Sequence, residues 1–355
     1  MERNNKIGML DLMGRPAFCA AEGLVTRVNA LAAAYHIAPG MQIADLLLTG
    51  TEEYAAFTGG CLHLTLSAGG QPLGASVNRV ADCDVFCLEE DEDNRELRAM
   101  ALAAQKLRTP LSTVMLTAQQ LFPVAELRDD PAAREQAAQL NRSLLQMLRV
   151  ICNMTDAGES VPAPQLQTVN ITAVLSEIFE KAAALVEHTE CALEYQDCPE
   201  TVYGLADPDS LERAVLNILS NALKFSRPGD TIRAGLTRRG RMLYLTVENS
   251  GEPIPAGIRA DVFTRYRRPC SPEEKRFGIG LGFVLTRAAA AAHGGTVLID
   301  QPGDSGTRVT MSLAIRQNNG MVRSPVLRVD YTGGYSKWLT ELSEQLPASL
   351  YTEEF

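Results

Sequence analysis

The sequence predicts an α+β multidomain chain in three units: an N-terminal α/β domain, an antiparallel helical hairpin and a two-layer α/β sandwich. Three observations carry this. Up to about residue 90 short apolar runs alternate with turn residues; two later segments repeat apolar residues at spacings of three and four; from about 165 to 315 helical and strand patterns intermix. With 355 residues, 46% of them hydrophobic and 21% charged, the chain is long and apolar enough for two or three globular cores.

In the first unit, Pro16 to Cys19 and Leu24 to Val28 read as a hairpin, and Asn29 starts a helical segment from Ala30 to Tyr35. Strands follow at Cys61 to Leu66, Gly74 to Val80 and Asp84 to Leu88, with Ala68-Gly69-Gly70 as a turn. Strands, a helical crossover and an antiparallel meander resemble a PAS-type sensor domain, assigned to residues 1–90. The acidic run Glu89 to Asp93 then forms a hinge or a helix start, because carboxylates favour the positive end of a helix dipole.

The second unit, residues 91–160, carries one apolar seam at Leu97, Met100, Ala104, Leu107, Leu111, Val114, Ala118 and Leu121. A second runs through Ala137, Leu140, Leu144, Met147, Ile151 and Met154. Joined by a turn at Asp129-Asp130-Pro131, they make a helical hairpin with too little apolar face to cover itself. Two chains are therefore expected to pair into a dimeric four-helix bundle.

After a linker from Gly158 to Pro164, the third unit offers helices at Ile171 to Leu185, Leu211 to Phe225 and Gly282 to His293. Its strands are expected at Cys191 to Tyr195, Thr231 to Leu236, Met242 to Glu248, Thr296 to Asp300 and Thr307 to Ala314. One sheet layered on helices buries both sets of faces. The tail, 316–355, is polar, contains Gly333-Gly334 and Trp338, and ends acidic; a docked appendage and a partly disordered extension suit it equally.

Charge and cysteine use exclude several function classes. The formal charge is 33 − 43 = −10, which argues against non-specific binding to nucleic acid or anionic membranes. No run reaches the length of a membrane span and the N-terminus lacks a leader-like apolar segment, so a soluble cytoplasmic chain is expected. The eight cysteines form no Cys-x-x-Cys pair, which points to reduced thiols rather than a zinc knuckle or redox dithiol.

Four segments place phosphate-binding chemistry in the third unit. In Leu211 to Phe225, Asn217, Asn221 and Lys224 share a helix face, stacking amide oxygens and an ammonium along one groove. Val247-Glu248-Asn249-Ser250-Gly251-Glu252-Pro253-Ile254 follows, then Val262 to Arg268 with Arg265, and a basic stretch with Lys275 and Arg276. Last come Gly278-Ile279-Gly280-Leu281-Gly282, ahead of a helix whose N-terminus offers free amides, and Gly306-Thr307 at the start of the final strand.

In this order and spacing the segments resemble the ATP-binding domain of sensor histidine kinases, a fold shared with DNA gyrase, a heat-shock chaperone family and MutL. The resemblance implies ATP and Mg2+ as cofactors. It makes Asn221 the metal ligand, sets Lys224 near the phosphates and Phe225 beside the adenine, and places Asn249, Gly251, Arg265, Gly278, Gly280, Gly282 and Thr307 around the nucleotide. Asn249 stands where the family has Asp and Pro253 where it has Gly, so the contact to the adenine amino group loses its charge. Asn217 stands where hydrolytic relatives carry a Glu, and a neutral amide cannot activate water as a general base.

Residues 105 to 111, Gln-Lys-Leu-Arg-Thr-Pro-Leu, resemble the family's phosphoacceptor box with Gln105 in place of the reactive His and Lys106 in place of its acidic neighbour. An amide nitrogen is not nucleophilic, so autophosphorylation is not expected there. The resemblance thus implies a histidine kinase-like signalling scaffold that binds Mg-ATP, with a homodimer, a response regulator or a His-bearing kinase as partners. The alternative is an active kinase that phosphorylates a partner's His, or Thr109 or Ser112. A gyrase- or chaperone-type ATPase is disfavoured by Asn217 and by the acidic charge. His36, His63, His188 and His293 are expected to be structural.

Overall fold

The computed structural model describes residues 10, 13–80, 82–89, 91–122, 130–158, 164–254, 262–263, 280–303, 305–316, 332 and 334–352, with the side chains of 91–97 and 158 left aside. Strands β1 (Ala17–Ala21) and β2 (Leu24–Val28) form a hairpin through Glu22 and Gly23, both at positive φ. Asn29 caps α1 (Ala30–Ala33), its Oδ1 accepting from the Ala32 amide at 2.9 Å. Two short helices follow, α2 (Ile43–Leu46) and α3 (Thr51–Ala55), then β3 (Cys61–Ala68), β4 (Gln71–Val80) and β5 (Cys83–Leu88). The Gly69-Gly70 turn between β3 and β4 has both residues at positive φ, which glycine adopts without strain.

The hairpin consists of α4 (Asp91–Leu121) and α5 (Pro131–Gly158). Pro131 opens α5 at the position where its missing N–H costs nothing, and Asp130 accepts from the Ala132 and Ala133 amides. Within α4 the seam divides by depth. Ala104 and Leu111 are buried, whereas Leu107, Val114 and Leu121, one heptad apart, are 53%, 51% and 67% exposed. Pro110 lies inside α4.

Beyond it come β6 (Gln167–Asn170), α6 (Ile171–Val186), β7 (Ala192–Gln196), β8 (Tyr203–Ala206), α7 (Pro208–Phe225), β9 (Thr231–Arg239) and β10 (Met242–Asn249). Then follow α8 (Gly282–Ala292), β11 (Val297–Asp300), β12 (Thr307–Ala314), α9 (Lys337–Glu341) and a 3-10 turn at Ala348–Tyr351. The sequence patterns do not show β6 and β8, which pair in a small antiparallel sheet, or α2, α3 and α9.

One feature of the topology is absent from any sequence pattern. The ten other strands form a single sheet in the order β2-β1-β5-β4-β3-β11-β12-β10-β9-β7. The N-terminal domain and the C-terminal sandwich are joined strand to strand, β3 antiparallel to β11 with Cys61 opposite Ile299 and His63 opposite Val297. Gly60 makes that approach possible, since a Cβ there would lie 2.4 Å from the Ile299 carbonyl oxygen.

Two cores result. One fills the N-terminal domain around Phe18 and Phe86, whose rings stack at 4.6 Å. The other runs continuously from Ala104, Leu111 and Leu145 of the hairpin through α6, α7 and the sheet to Leu342, Leu346 and Tyr351 of the tail. Residues 337–352 are thus docked, packed against both α5 and α7. Burying each large apolar side chain there stabilises by about 1.5–3 kcal/mol. Cys83, Cys191 and Cys198 are free thiols. No helix among the described residues is long and apolar enough to cross a membrane.

Candidate functional site

Helix α7 begins with a strong local signal. Asp207 caps it, accepting from the Ser210 amide at 3.2 Å, and Pro208 starts the first turn. Leu211, Val215, Ile218 and Ala222 are buried against the sheet, which leaves the Asn217–Asn221 row facing α8. Gly282 permits that packing. A Cβ on it would stand 3.1 Å from Asn217 Oδ1 and 3.7 Å from Asn221 Nδ2.

Between α7, the ends of β10 and β12, and Phe283 of α8 lies a cleft enclosing about 330 Å³, its open mouth included. Its walls are Ile218, Asn221, Ala222, Phe225, Val247, Asn249, Ile254, Phe283, Thr307 and Val309. The lining is mostly apolar with three polar groups, the usual composition of a small-molecule site. Asn249 and Thr307 are opposite partners across the β10–β12 ladder.

Two glycines close the back of the cleft. A Cβ on Gly251 would sit 1.8 Å from the Phe225 carbonyl oxygen, so only glycine lets the end of β10 press on the end of α7. Gly306, at φ 84°, approaches the Asn249 carbonyl so closely that a Cβ would stand 2.2 Å from it, and its amide donates to Gly251 O at 2.9 Å. Gly280 also has positive φ, with open space where a Cβ would be.

The structure therefore brings Asn221, Phe225, Asn249 and Thr307 to one cleft, with Gly251 and Gly282 shaping it. Two expected residues face elsewhere. Asn217 is 1% exposed and its Nδ2 donates to Arg213 O at 3.0 Å, while its Oδ1 has no partner among the described residues. Lys224 turns away from the cleft and donates to Glu344 of the tail at 2.8 Å. Arg265 and Gly278, with Arg267, Arg268, Lys275 and Arg276, lie outside the described residues. Of the Val262–Arg268 stretch, Phe263 is buried and meets Phe283 edge-on at 6.2 Å.

On α4, Gln105 and Lys106 are exposed, as are Leu107, Thr109 and Pro110. The Ser112 hydroxyl donates to Arg108 O at 2.9 Å.

A polar cluster that the sequence does not announce joins three elements beside the cleft. Glu341 of α9 has no exposed surface and accepts from Arg149 Nε of α5 at 3.1 Å. The same carboxylate lies 3.6 Å from Arg213 Nε of α7. Arg149 also donates to Ser220 of α7 at 2.9 Å, and Arg213 to Asn153 of α5 at 2.9 Å, with Asp156 as its ion-pair partner. Burial raises the Glu344 carboxyl, but the Lys224 and Arg149 cations outweigh it and its pKa falls below the usual range.

Two of the histidines are held inside the fold. His293 donates from Nδ1 to Ala289 O at 2.7 Å and accepts the Asp207 amide on Nε2 at 2.9 Å, and burial lowers its pKa. His63 sits at the β3–β11 joint, within 5.6 Å of Phe263, its Nε2 donating to Glu89 at 2.9 Å. Burial and then the Arg287 charge hold its pKa well below the ordinary value. Arg287, buried and ion-paired with Glu89, is itself pushed down to about 10 by burial.

Comparison with known proteins agrees with this geometry. Residues 206–317 match the family described as histidine kinase-, DNA gyrase B- and HSP90-like ATPase. The chain is 32% identical over 228 residues to the signal transduction histidine-protein kinase/phosphatase MprB of Mycolicibacterium vanbaalenii, covering 60% of this chain and 44% of that one. It is 27% identical over 228 residues to the sensor histidine kinase CusS of Escherichia coli K12, covering 63% and 46%. The chain spans under half the length of these curated relatives.

Among solved structures, a mycobacterial MprB sensor kinase aligns at 27% identity and TM-score 0.37, over 42% of this chain and 98% of that one. ShkA bound to AMPPNP aligns at 22% and 0.48, over 62% and 46%. Residues 206–317 thus match the histidine kinase-, DNA gyrase B- and HSP90-like ATPase family, and roughly three fifths of the chain is similar to sensor histidine kinases.

Proposed function

We propose that the chain binds Mg-ATP in the α7–β10–β12 cleft, does not phosphorylate its own hairpin, and uses the nucleotide as a conformational ligand within a signalling assembly. The observation that carries this is a contrast. The cleft presents the Asn221 amide, an aromatic wall at Phe225 and Phe283 and a buried polar floor at Asn249 and Thr307, while Gln105 stands on α4 where the family resemblance puts the acceptor His.

The residues present suit such a ligand. Asn221 offers an uncharged oxygen, enough for a Mg2+ ion that keeps most of its waters and takes its remaining oxygens from phosphates. The Asn249 Nδ2 is buried without a partner among the described residues, an arrangement favoured where a ligand completes it. The bound magnesium would supply charge neutralisation to the phosphates. Phe225 and Phe283 would exclude water from the base, and Asn217, lacking a carboxylate, removes no proton from water. At the hairpin, Gln105 offers no nucleophile and Lys106 no general base.

The wider assembly follows from the other units. The strand order β2-β1-β5-β4-β3 with helices between β2 and β3 supports a PAS-type input domain over residues 1–90. The exposed heptad row Leu107, Val114 and Leu121, with Met147 on α5, supports pairing of two hairpins into a four-helix bundle. A response regulator or a kinase bearing its own His is the partner class, on the cytoplasmic side.

The test is incubation with γ-labelled ATP and Mg2+ alongside a nucleotide titration. Saturable binding with no protein label supports the reading, whereas stable label on the wild-type chain overturns it. Gln105→His with Lys106→Glu then asks whether only the acceptor was lost, and label appearing on that variant alone is the expected result.

A further inference from the structure

We propose that Asn249 makes the base pocket indifferent to the substituent at purine position 6, so that the chain accepts 6-oxo purine triphosphates, such as those of inosine and guanosine, on equal terms with ATP. This rests on the nucleotide reading of the cleft. It goes beyond that reading by naming the residue that sets base selectivity.

The inference begins with what the floor of the cleft offers. Its walls are apolar and aromatic, and Asn249 is 4% exposed at the last position of β10. Its backbone cannot shift, because it pairs with Thr307 on one side and is pinned by the close approach of Gly306 to its carbonyl. Its Nδ2 donates to nothing among the described residues. Leaving a buried donor unpaired is unfavourable, so a ligand atom that accepts from it is selected.

A carboxylate at this place presents acceptors only. It welcomes an exocyclic amino group and repels an exocyclic carbonyl. A carboxamide presents one donor and one acceptor. Turning the amide by half a revolution about its Cβ–Cγ bond exchanges the two, and no described partner of Nδ2 holds one orientation. In one setting Oδ1 accepts from a 6-amino group and Nδ2 donates to ring N1. In the other, Nδ2 donates to a 6-oxo group and Oδ1 accepts from the N1–H that such a base carries. Either base gains the same two hydrogen bonds, and the aromatic walls do not distinguish the two rings.

The experiment displaces a trinitrophenyl-ATP probe from the full chain in Mg2+ with ATP and with inosine triphosphate, which differ only at position 6 and the attached N1 proton. It is run on the wild type and on Asn249→Asp. For the wild type the two affinities should agree to within about tenfold, and for Asn249→Asp inosine triphosphate should fall at least about tenfold further behind ATP, the loss of one hydrogen bond. A wild-type preference for ATP above about tenfold overturns the inference while leaving the nucleotide site intact, as does an unchanged ratio in a folded Asn249→Asp. Failure of either nucleotide to displace or bind at millimolar concentration overturns the nucleotide reading itself.

Discussion

Glu341 is a carboxylate with no exposed surface, and its two arginines come from different elements, Arg149 from α5 and Arg213 from α7. Removing one member of such a buried set leaves charges without compensation, which costs more than the set contributes over an apolar replacement. Glu341→Ala is therefore expected to lower unfolding stability by about 3–5 kcal/mol, and Glu341→Gln by less, because the amide oxygen still accepts. Denaturant titration of the two variants checks the order, and equal stability of both with the wild type would refute the reading of this cluster. Lys224 belongs to the same web. Its bond to Glu344 explains why a cation that the sequence places near phosphates is directed to the tail instead.

At the scale of elements, the tail acts as a clasp. It places Leu342, Leu346 and Tyr351 in the common core, and Arg142 and Gln146 of α5 donate to the Ser343 carbonyl. A chain ending at residue 331 should show faster amide exchange along 141–153 and 211–224, the two helix faces that the tail covers, while β3, β4 and β5 keep their protection. Uniform exchange rates in both forms would show the tail to be passive. None of this is legible in the sequence, where Glu341 and Glu344 look like the acids of a solvated tail and become structural only through residues about 120 to 190 positions away.

Other elements are legible for stated reasons. The ends of α7 are fixed locally by Asp207 and Pro208, and its amphipathic face follows from the spacing of Leu211, Val215, Ile218 and Ala222. Strand β10 alternates in burial along its whole length, and β9 and β12 do so over Thr231–Thr237 and Thr307–Met311. Strands β6 and β8 have four residues each and too little pattern to be seen. Within the site, Asn221, Phe225, Asn249 and Thr307 are found from motif order, but the turning away of Asn217 toward Gly282 depends on how closely α7 and α8 pack.

For the whole molecule, the decisive feature is the ten-stranded sheet. At its middle, His63 is neutral and buried beside Glu89 and Arg287, and His293 is neutral between Ala289 and Asp207. Both folded pKa values lie below the unfolded value of about 6.5. Full stability is thus present above that pH, and it declines as pH falls from there toward the folded values, since the unfolded chain takes up protons that the folded chain refuses. Melting at pH 7.5 and 5.5 should show the drop, and His293→Gln should shrink it. A flat profile across that range would contradict the placement of both rings.

The β3–β11 joint has one more result. A twisted sheet normally ends in two rims of unpaired amides and carbonyls, and two separate sheets would have four, each a template for self-association. Here the apolar stretches Cys61–Leu66 and Val297–Ile299 blunt one another, leaving as outer rims only two five-residue ribbons, β2 with Arg27 and β7 with Glu194. Cutting the chain into its N-terminal and C-terminal halves would uncover both inner rims at once, and each fragment would be prone to clump with its own kind.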